Sequence, residues 1–243
     1  MVRFAIASLI VAAAGSAQGA FFSFASDTSD QNWSFTGSGN KVYDGGGAQG
    51  SVPVTLLFDD DNGPLPAIAF AGARFDADVT ITDGSRTRRG STAQYDYDYI
   101  ASGFFEFHDA RGNLLLRCDF TNAQLSNAGS ATSWGPKASI IGSDFTDATV
   151  VYTSWLTLAP GYGVTPGTFN GASDFGFDLT ALNKTGAIPY NSADRGVAVS
   201  EASAYLPSQW WSEGSYSGSA VPSAGSVALL GLAASTIGFR RKR

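Results

Sequence analysis

Apolar and polar residues alternate with a period of two through the middle of the chain. Phe75, Ala77, Val79 and Ile81 interleave with Asp76, Asp78, Thr80 and Thr82, and Tyr95, Tyr97 and Tyr99 interleave with Asp96 and Asp98. Successive side chains of a strand point to opposite faces, so each run predicts a strand with one buried and one wet face. Asp83 to Gly90 reads as the turn between them. A second hairpin is predicted from Gly103 to His108, turning through DARGN and returning along Leu114 to Phe120. Further strands are expected at Phe21 to Ala25, Asn32 to Thr36, Val52 to Phe58, Val150 to Leu158, Phe175 to Leu182 and Val197 to Leu206. PSQWWSEGSYSGSA reads as a terminal strand plus a Ser/Gly spacer, and GSGNKVYDGGGAQG as a flexible loop. Short strands, frequent turns and no helical period predict one all-β domain, a β-sandwich or jelly roll.

The two ends break this pattern. Arg3, the apolar run Phe4 to Ala14 and the small residues Ala17, Gly19 and Ala20 have the layout of a secretory signal peptide, here residues 1–20. Residues 220–243 end in VPSAGSVALLGLAASTIGFRRKR, with no charge from Val221 to Phe239. A helix of that length reaches roughly 28 Å, close to the hydrocarbon thickness of a bilayer. Arg240, Arg241, Lys242 and Arg243 then stay on the cytoplasmic side by the positive-inside rule, which leaves the body, residues 21–219, outside.

Val221-Pro222, the short apolar helix and the terminal Arg240 to Arg243 cluster together resemble a PEP-CTERM sorting signal. The resemblance implies export from a Gram-negative cell, recognition by an exosortase-type membrane protease, and association with the cell surface, extracellular matrix or biofilm. It also implies a β-rich passenger, in keeping with GNLLLRCDF and DFGFDLTAL. The name-giving Pro-Glu-Pro is replaced by Pro222-Ser223-Ala224, so both a cleaved and a retained tail are compatible with it.

Charge narrows the partners. The chain has 15 Lys and Arg against 21 Asp and Glu, and five of the cations lie in the two ends, which leaves the body at 10 against 21, a net of −11. A body this acidic does not bind nucleic acid through phosphate contacts. Cys118, the single cysteine, allows no internal disulfide and falls on the apolar face of Leu114, Leu116, Cys118 and Phe120, where a buried thiol is expected. His108 is the sole histidine, which excludes HExxH and two-histidine metal centres, and Glu106 and His108 are expected on the wet face. DDDNGPLP is no EF-hand, because Gly63 at loop position 6 places Phe58 at position 1 and Ala69 at position 12. With no nucleophile elbow and no phosphate loop, no enzymatic activity is expected.

One acidic constellation remains. A hairpin centred on residue 87 would set Asp76 opposite Asp98 and Asp78 opposite Asp96. Like charges directly opposite are destabilising, which is met by Ca²⁺, by an arginine from Arg74, Arg86, Arg88 and Arg89, by plain solvation, or by a register shifted by two that separates some of the pairs. Two functions fit the whole chain. The first is an exported, surface-anchored or matrix-associated structural or interaction protein. The second is a carbohydrate-binding sandwich, with Trp155, Trp210 and Trp211 as candidates for stacking on extracellular polysaccharide.

Overall fold

The computed structural model describes residues 19–25, 33–35, 41–44, 52–60, 65–143, 147–159, 166–169, 171–180, 197–207 and 210–221, with 162, 164 and 182 as single residues. Most of the signal-peptide segment and the sorting segment from Pro222 onward lie outside these residues. The described chain is all-β: thirteen strands joined in one antiparallel sheet, with a single 3-10 turn at Glu201–Ser203. Among the described residues no helix is long and apolar enough to cross a membrane.

The strands are β1 (Ala20–Ala25), β2 (Trp33–Phe35), β3 (Lys41–Asp44), β4 (Val52–Asp60), β5 (Ile68–Arg88), β6 (Tyr95–His108) and β7 (Leu114–Ser130). They continue with β8 (Ser133–Gly142), β9 (Thr149–Ser154), β10 (Gly167–Thr168), β11 (Ser173–Thr180), β12 (Val197–Ala198) and β13 (Trp210–Ala220). Eight of them pair in a closed circuit, β1–β4–β5–β6–β7–β8–β11–β13 and back to β1. Closure satisfies edges that would otherwise offer unpaired backbone to another chain. β2 and β3 bridge β13 to β5, while β9 and β10 extend the first half of β7 and β12 pairs with β8.

The inward face is aromatic. Phe24 of β1 lies 4.7 Å from Phe75 of β5, Phe105 of β6 lies 5.2 Å from Phe177 of β11, and Phe120 of β7 lies 4.7 Å from Phe175 of β11. These contacts join strands that do not pair with one another, so the interior is filled by side chains. Burying one such ring stabilises by roughly 2–3 kcal/mol before the entropy of ordering it is counted. Cys118 sits on this face, fully buried, as its alternation requires.

β5 and β7 run for 21 and 17 residues because each turns a corner. In β5 the inward positions are odd up to Ile81 and even after the irregularity between Thr82 and Ser85. In β7 they are even up to Phe120 and odd from Ala123. One extra residue shifts every following side chain to the other face, which is the geometry of a β-bulge. Asp83 and Asn122 take positive φ (51° and 56°) at these bulges, a conformation that Asp and Asn tolerate best. Gly103 of β6 lies on the same corner, where a Cβ would stand 1.9 Å from the Asp78 carbonyl oxygen.

Several expected boundaries move. The turn expected at Asp83 to Gly90 is strand as far as Arg88, and the chain reverses over residues 90–93. The stretch expected as a flexible loop contains β3, and the expected spacer after Trp211 is the rest of β13. Val197 to Leu206 yields only the two-residue β12 before the 3-10 turn. The second half of β7 and all of β8 carry no sequence expectation.

Candidate functional site

The outward face of β5, β6, β7 and β9 carries the most connected set of side chains. Its rows follow from the register: Asp76 stands opposite Glu106, Glu106 opposite Arg117, and Arg117 opposite Thr153. Asp76 and Glu106 are a directly opposed pair of carboxylates, a destabilising arrangement unless other side chains bridge them. His108 and Arg117 do. His108 places Nδ1 3.0 Å from Asp76 Oδ2 and Nε2 3.6 Å from Glu106 Oε2. Arg117 donates from Nη1 to Glu106 Oε1 at 2.5 Å, and from Nε and Nη2 to Asp119 at 2.9 and 2.7 Å. Its guanidinium carbon lies 3.9 Å above the ring of Phe104, so the fork is supported on an aromatic face. Hydrogen bonds to Asp119 raise the Arg117 pKa further, with smaller help from Glu106.

A ribbon of polar and charged side chains thus crosses three strands: Asp76, His108, Glu106, Arg117, Asp119. Asp76, Glu106 and His108 bring one ligand atom each within 4.8 Å of the others, a set that suits a single divalent cation. Arg117 competes for the same Glu106 carboxylate.

The expected four-aspartate ladder is not formed. Asp98 faces Ser85 and Asp96 faces Thr87, whereas Asp76 faces Glu106 and Asp78 faces Phe104. β5 continues past the expected turn, so the hairpin axis moves from residue 87 to near 91. All four aspartates keep the outward face. However, Asp76 and Ser85, the partner of Asp98, are nine residues apart along β5, roughly 30 Å of extended chain. Asp76, Asp78, Asp96 and Asp98 therefore do not share one Ca²⁺ site. An arginine does fold over the distal pair: Arg89 donates from Nε to Asp96 Oδ2 at 2.7 Å and approaches Oδ1 at 2.6 Å with Nη2. Asp98 accepts from Gln124 Nε2 at 3.1 Å. Arg86 instead lies over Tyr205, 4.1 Å from its centroid, and Arg88 donates to the Thr92 carbonyl. An open groove of about 340 Å³ beside this pair is lined by Asp96, Asp98, Asn127, Lys137 and Asp178.

The tryptophans divide. Trp155 follows the last residue of β9, and its backbone N–H donates to the Leu115 carbonyl at 2.9 Å, which extends the β7–β9 ladder. Tyr152 and Ser154 point inward, so Thr153 and Trp155 point outward, and Trp155 is 46% exposed. Trp134 is fully buried, with its indole N–H donating to Tyr99 Oη at 3.1 Å. Trp210 and Trp211 pair in register with Phe35 and Ser34, but their side chains, like that of Trp33, lie outside the described residues. Of the sorting-signal residues only Val221 is described; Pro222, Arg240, Arg241, Lys242 and Arg243 are not.

Among the described buried side chains Ser212 Oγ has no hydrogen-bond partner, whereas the two core tyrosines are paired. Tyr152 Oη and Tyr216 Oη lie 2.5 Å apart, and Tyr152 also donates to the Asp174 carbonyl at 2.9 Å. Burial pushes the neighbouring Cys118 thiol up to about 12, so thiolate chemistry at this position is suppressed. Outward placement of Glu106 and His108 was legible in the alternation. Their link to Arg117 and Asp119 was not, because it depends on which strand lies beside which. No protein-family model, curated protein or solved structure matches this chain.

Proposed function

We propose that the chain is an exported bacterial protein, displayed at the cell surface or in the extracellular matrix, with a structural or interaction role and no catalytic one. Its C-terminal segment holds the membrane at least transiently and is the substrate of an exosortase-type protease. The body is read as a β-sandwich of jelly-roll type. The observation that carries the reading is the pairing of the first strand with the last. Ala20 stands opposite Ala220, so the chain enters and leaves the body at one end of adjacent strands. A body tethered by its tail would project away from that end. Val221 is still tied in, since its N–H donates to the Ala172 carbonyl and its carbonyl accepts from Gly171 N–H, both at 3.1 Å. Processing is therefore expected beyond Val221. Intact-mass measurement of protein extracted from the surface of an exosortase-bearing host tests this. A species starting near residue 20 and ending soon after Val221 supports the reading, and protein retained in the cytoplasm with both ends intact rejects it.

A second reading has its own observation. Trp155, 46% exposed on an outer face that also carries Thr153, Arg117 and Asp119, suits a carbohydrate-binding module.

A further inference from the structure

A tryptophan at a strand end is ordinarily a core residue, and Trp134 shows that this fold can bury one completely. Trp155 is instead held outward by the β7–β9 ladder, beside the half-buried Leu115. Along β9 the next outward residue is Thr153, whose hydroxyl lies 3.3 Å from that of Thr168 on β10. Across the ladder from Thr153 stands Arg117, with Asp119 and Glu106 on its fork. The outward face therefore sets an apolar plate about 7 Å from a Thr153 hydroxyl and a diagonal step from a guanidinium–carboxylate network.

We propose that this face, formed by β6, β7, β9 and β10, binds an extended, uncharged, β-linked hexose chain; the proposal rests on the carbohydrate-binding reading above. The indole of Trp155 stacks on the C–H face of one sugar ring, and Thr153, Arg117 and Asp119 hydrogen-bond the hydroxyls of the neighbouring rings. Three features select that ligand. A sugar ring with equatorial hydroxyls has an apolar face and a polar rim, which matches an aromatic plate bordered by hydroxyls and charges. Arg117 is already fixed by Asp119, Glu106 and the Phe104 ring, so its ordering entropy is not charged to binding, while the Asp119 side chain, 47% exposed, keeps acceptor positions open to solvent. The third feature is charge. Asp76, Glu106 and Asp119 lie on the face of a body with a net charge of −11 (10 Lys and Arg against 21 Asp and Glu), which disfavours a polyuronate. A β-linked chain presents its rings as an extended ribbon, the shape an open strand ladder accommodates.

The test is calorimetric titration of the purified full-length protein with cellohexaose and, in parallel, with a guluronate oligosaccharide of similar length. Cellohexaose is expected to bind and the uronate not to. Trp155→Ala is expected to weaken cellohexaose binding at least tenfold with an unchanged unfolding midpoint, and Trp155→Tyr to recover most of it. Ile141→Ala, which removes an apolar residue 42% exposed on β8, is expected to leave binding unchanged. Binding that survives Trp155→Ala overturns this site and leaves the carbohydrate reading standing. Failure of the unaltered protein to bind cellohexaose overturns the site, and failure with both sugars removes the carbohydrate reading as well. Preference for the uronate overturns the charge argument and with it the ligand assigned here.

Discussion

The β5–β6 pair reads as one pattern in sequence and behaves as two regions in space. Below the corner, Phe75, Phe105 and Phe107 point inward and meet rings from the other side of the circuit; Phe105 alone lies within 5.5 Å of Phe75, Phe120, Phe175, Phe177 and Tyr216. Above it, the inward residues are Tyr97 and Tyr99, whose hydroxyls donate to the Ser130 and Tyr205 carbonyls. Phe stands where the interior is closed on every side, and Tyr where a hydroxyl reaches backbone at the end of the molecule. The outer faces differ in the same way. Below, opposed carboxylates are bridged by side chains from the strands themselves, His108 and Arg117; above, Asp96 is met by Arg89 from the turn. Along β5 and β6 the change from Phe to Tyr thus marks where a hydroxyl reaches a backbone carbonyl, and the source of the bridging side chain marks distance from the chain reversal.

Replacing Phe105 by Ala is the strongest way to test that difference. Five neighbouring rings cannot all relax into the void, so a loss of about 3–5 kcal/mol is expected in urea unfolding. Above the corner the corresponding change is Tyr99→Phe, which keeps the ring and removes a hydroxyl that donates to Tyr205 and accepts from Trp134. The expected loss is about 1–2 kcal/mol, set by the buried Trp134 N–H and the half-buried Tyr205 carbonyl left without a mate. Equal losses at the two positions would erase the distinction between closed interior and polar end.

What the sequence made legible was whatever depends on one strand at a time. The alternation in Phe75 to Ile81, the inward tyrosines, the DARGN turn, the buried Cys118 and the all-β class needed no knowledge of neighbours. Register did need it. Asp83 and Gly84 look like turn residues, yet they form the bulge at which β5 changes faces, and nothing local separates a bulge from a reversal there. β8 and the second half of β7 escaped because their inward positions include Ala123, Asn127 and Ala138, small or polar residues that blur the alternation. β3 is only four residues long and flanked by glycine-rich chain. The ion-pair ribbon was invisible for the same reason as the register: Arg117, Glu106 and Asp76 become neighbours only when three strands align.

Arg117→Gln probes the lower outer face. It removes the bidentate contact to Asp119 and the contact to Glu106, and leaves His108 to bridge Asp76 and Glu106. The site is partly exposed, so the expected loss is about 1 kcal/mol. Because the lost term is electrostatic, the difference from the unaltered protein should shrink as salt is raised toward molar concentrations. A salt-independent loss would assign the effect to the packing of Arg117 on Phe104 instead.

The smallest effect belongs to the turn that joins β6 to β7 at the lower end of β6. Asp109 accepts from the side-chain amide of Asn113 and from the backbone N–H groups of Asn113 and Arg111, each at 2.8 Å. These bonds, the Asn113 side chain first, hold its pKa below the ordinary carboxylate value. A group whose folded pKa is depressed contributes stability that is fully present above its unfolded pKa, near 3.9, and lost as pH falls through the folded value. Asp109→Asn keeps an acceptor oxygen and cannot titrate. The difference in urea midpoint between the two proteins should be constant above about pH 5, given the unfolded value, and should shrink steadily as pH falls below about 4. Full exposure of the turn keeps the difference small, so the shape of the curve is the diagnostic. Two curves that stay parallel down to the acid transition would show that the turn is held by its backbone geometry, with Gly112 at φ 85°, and not by the Asp109 carboxylate.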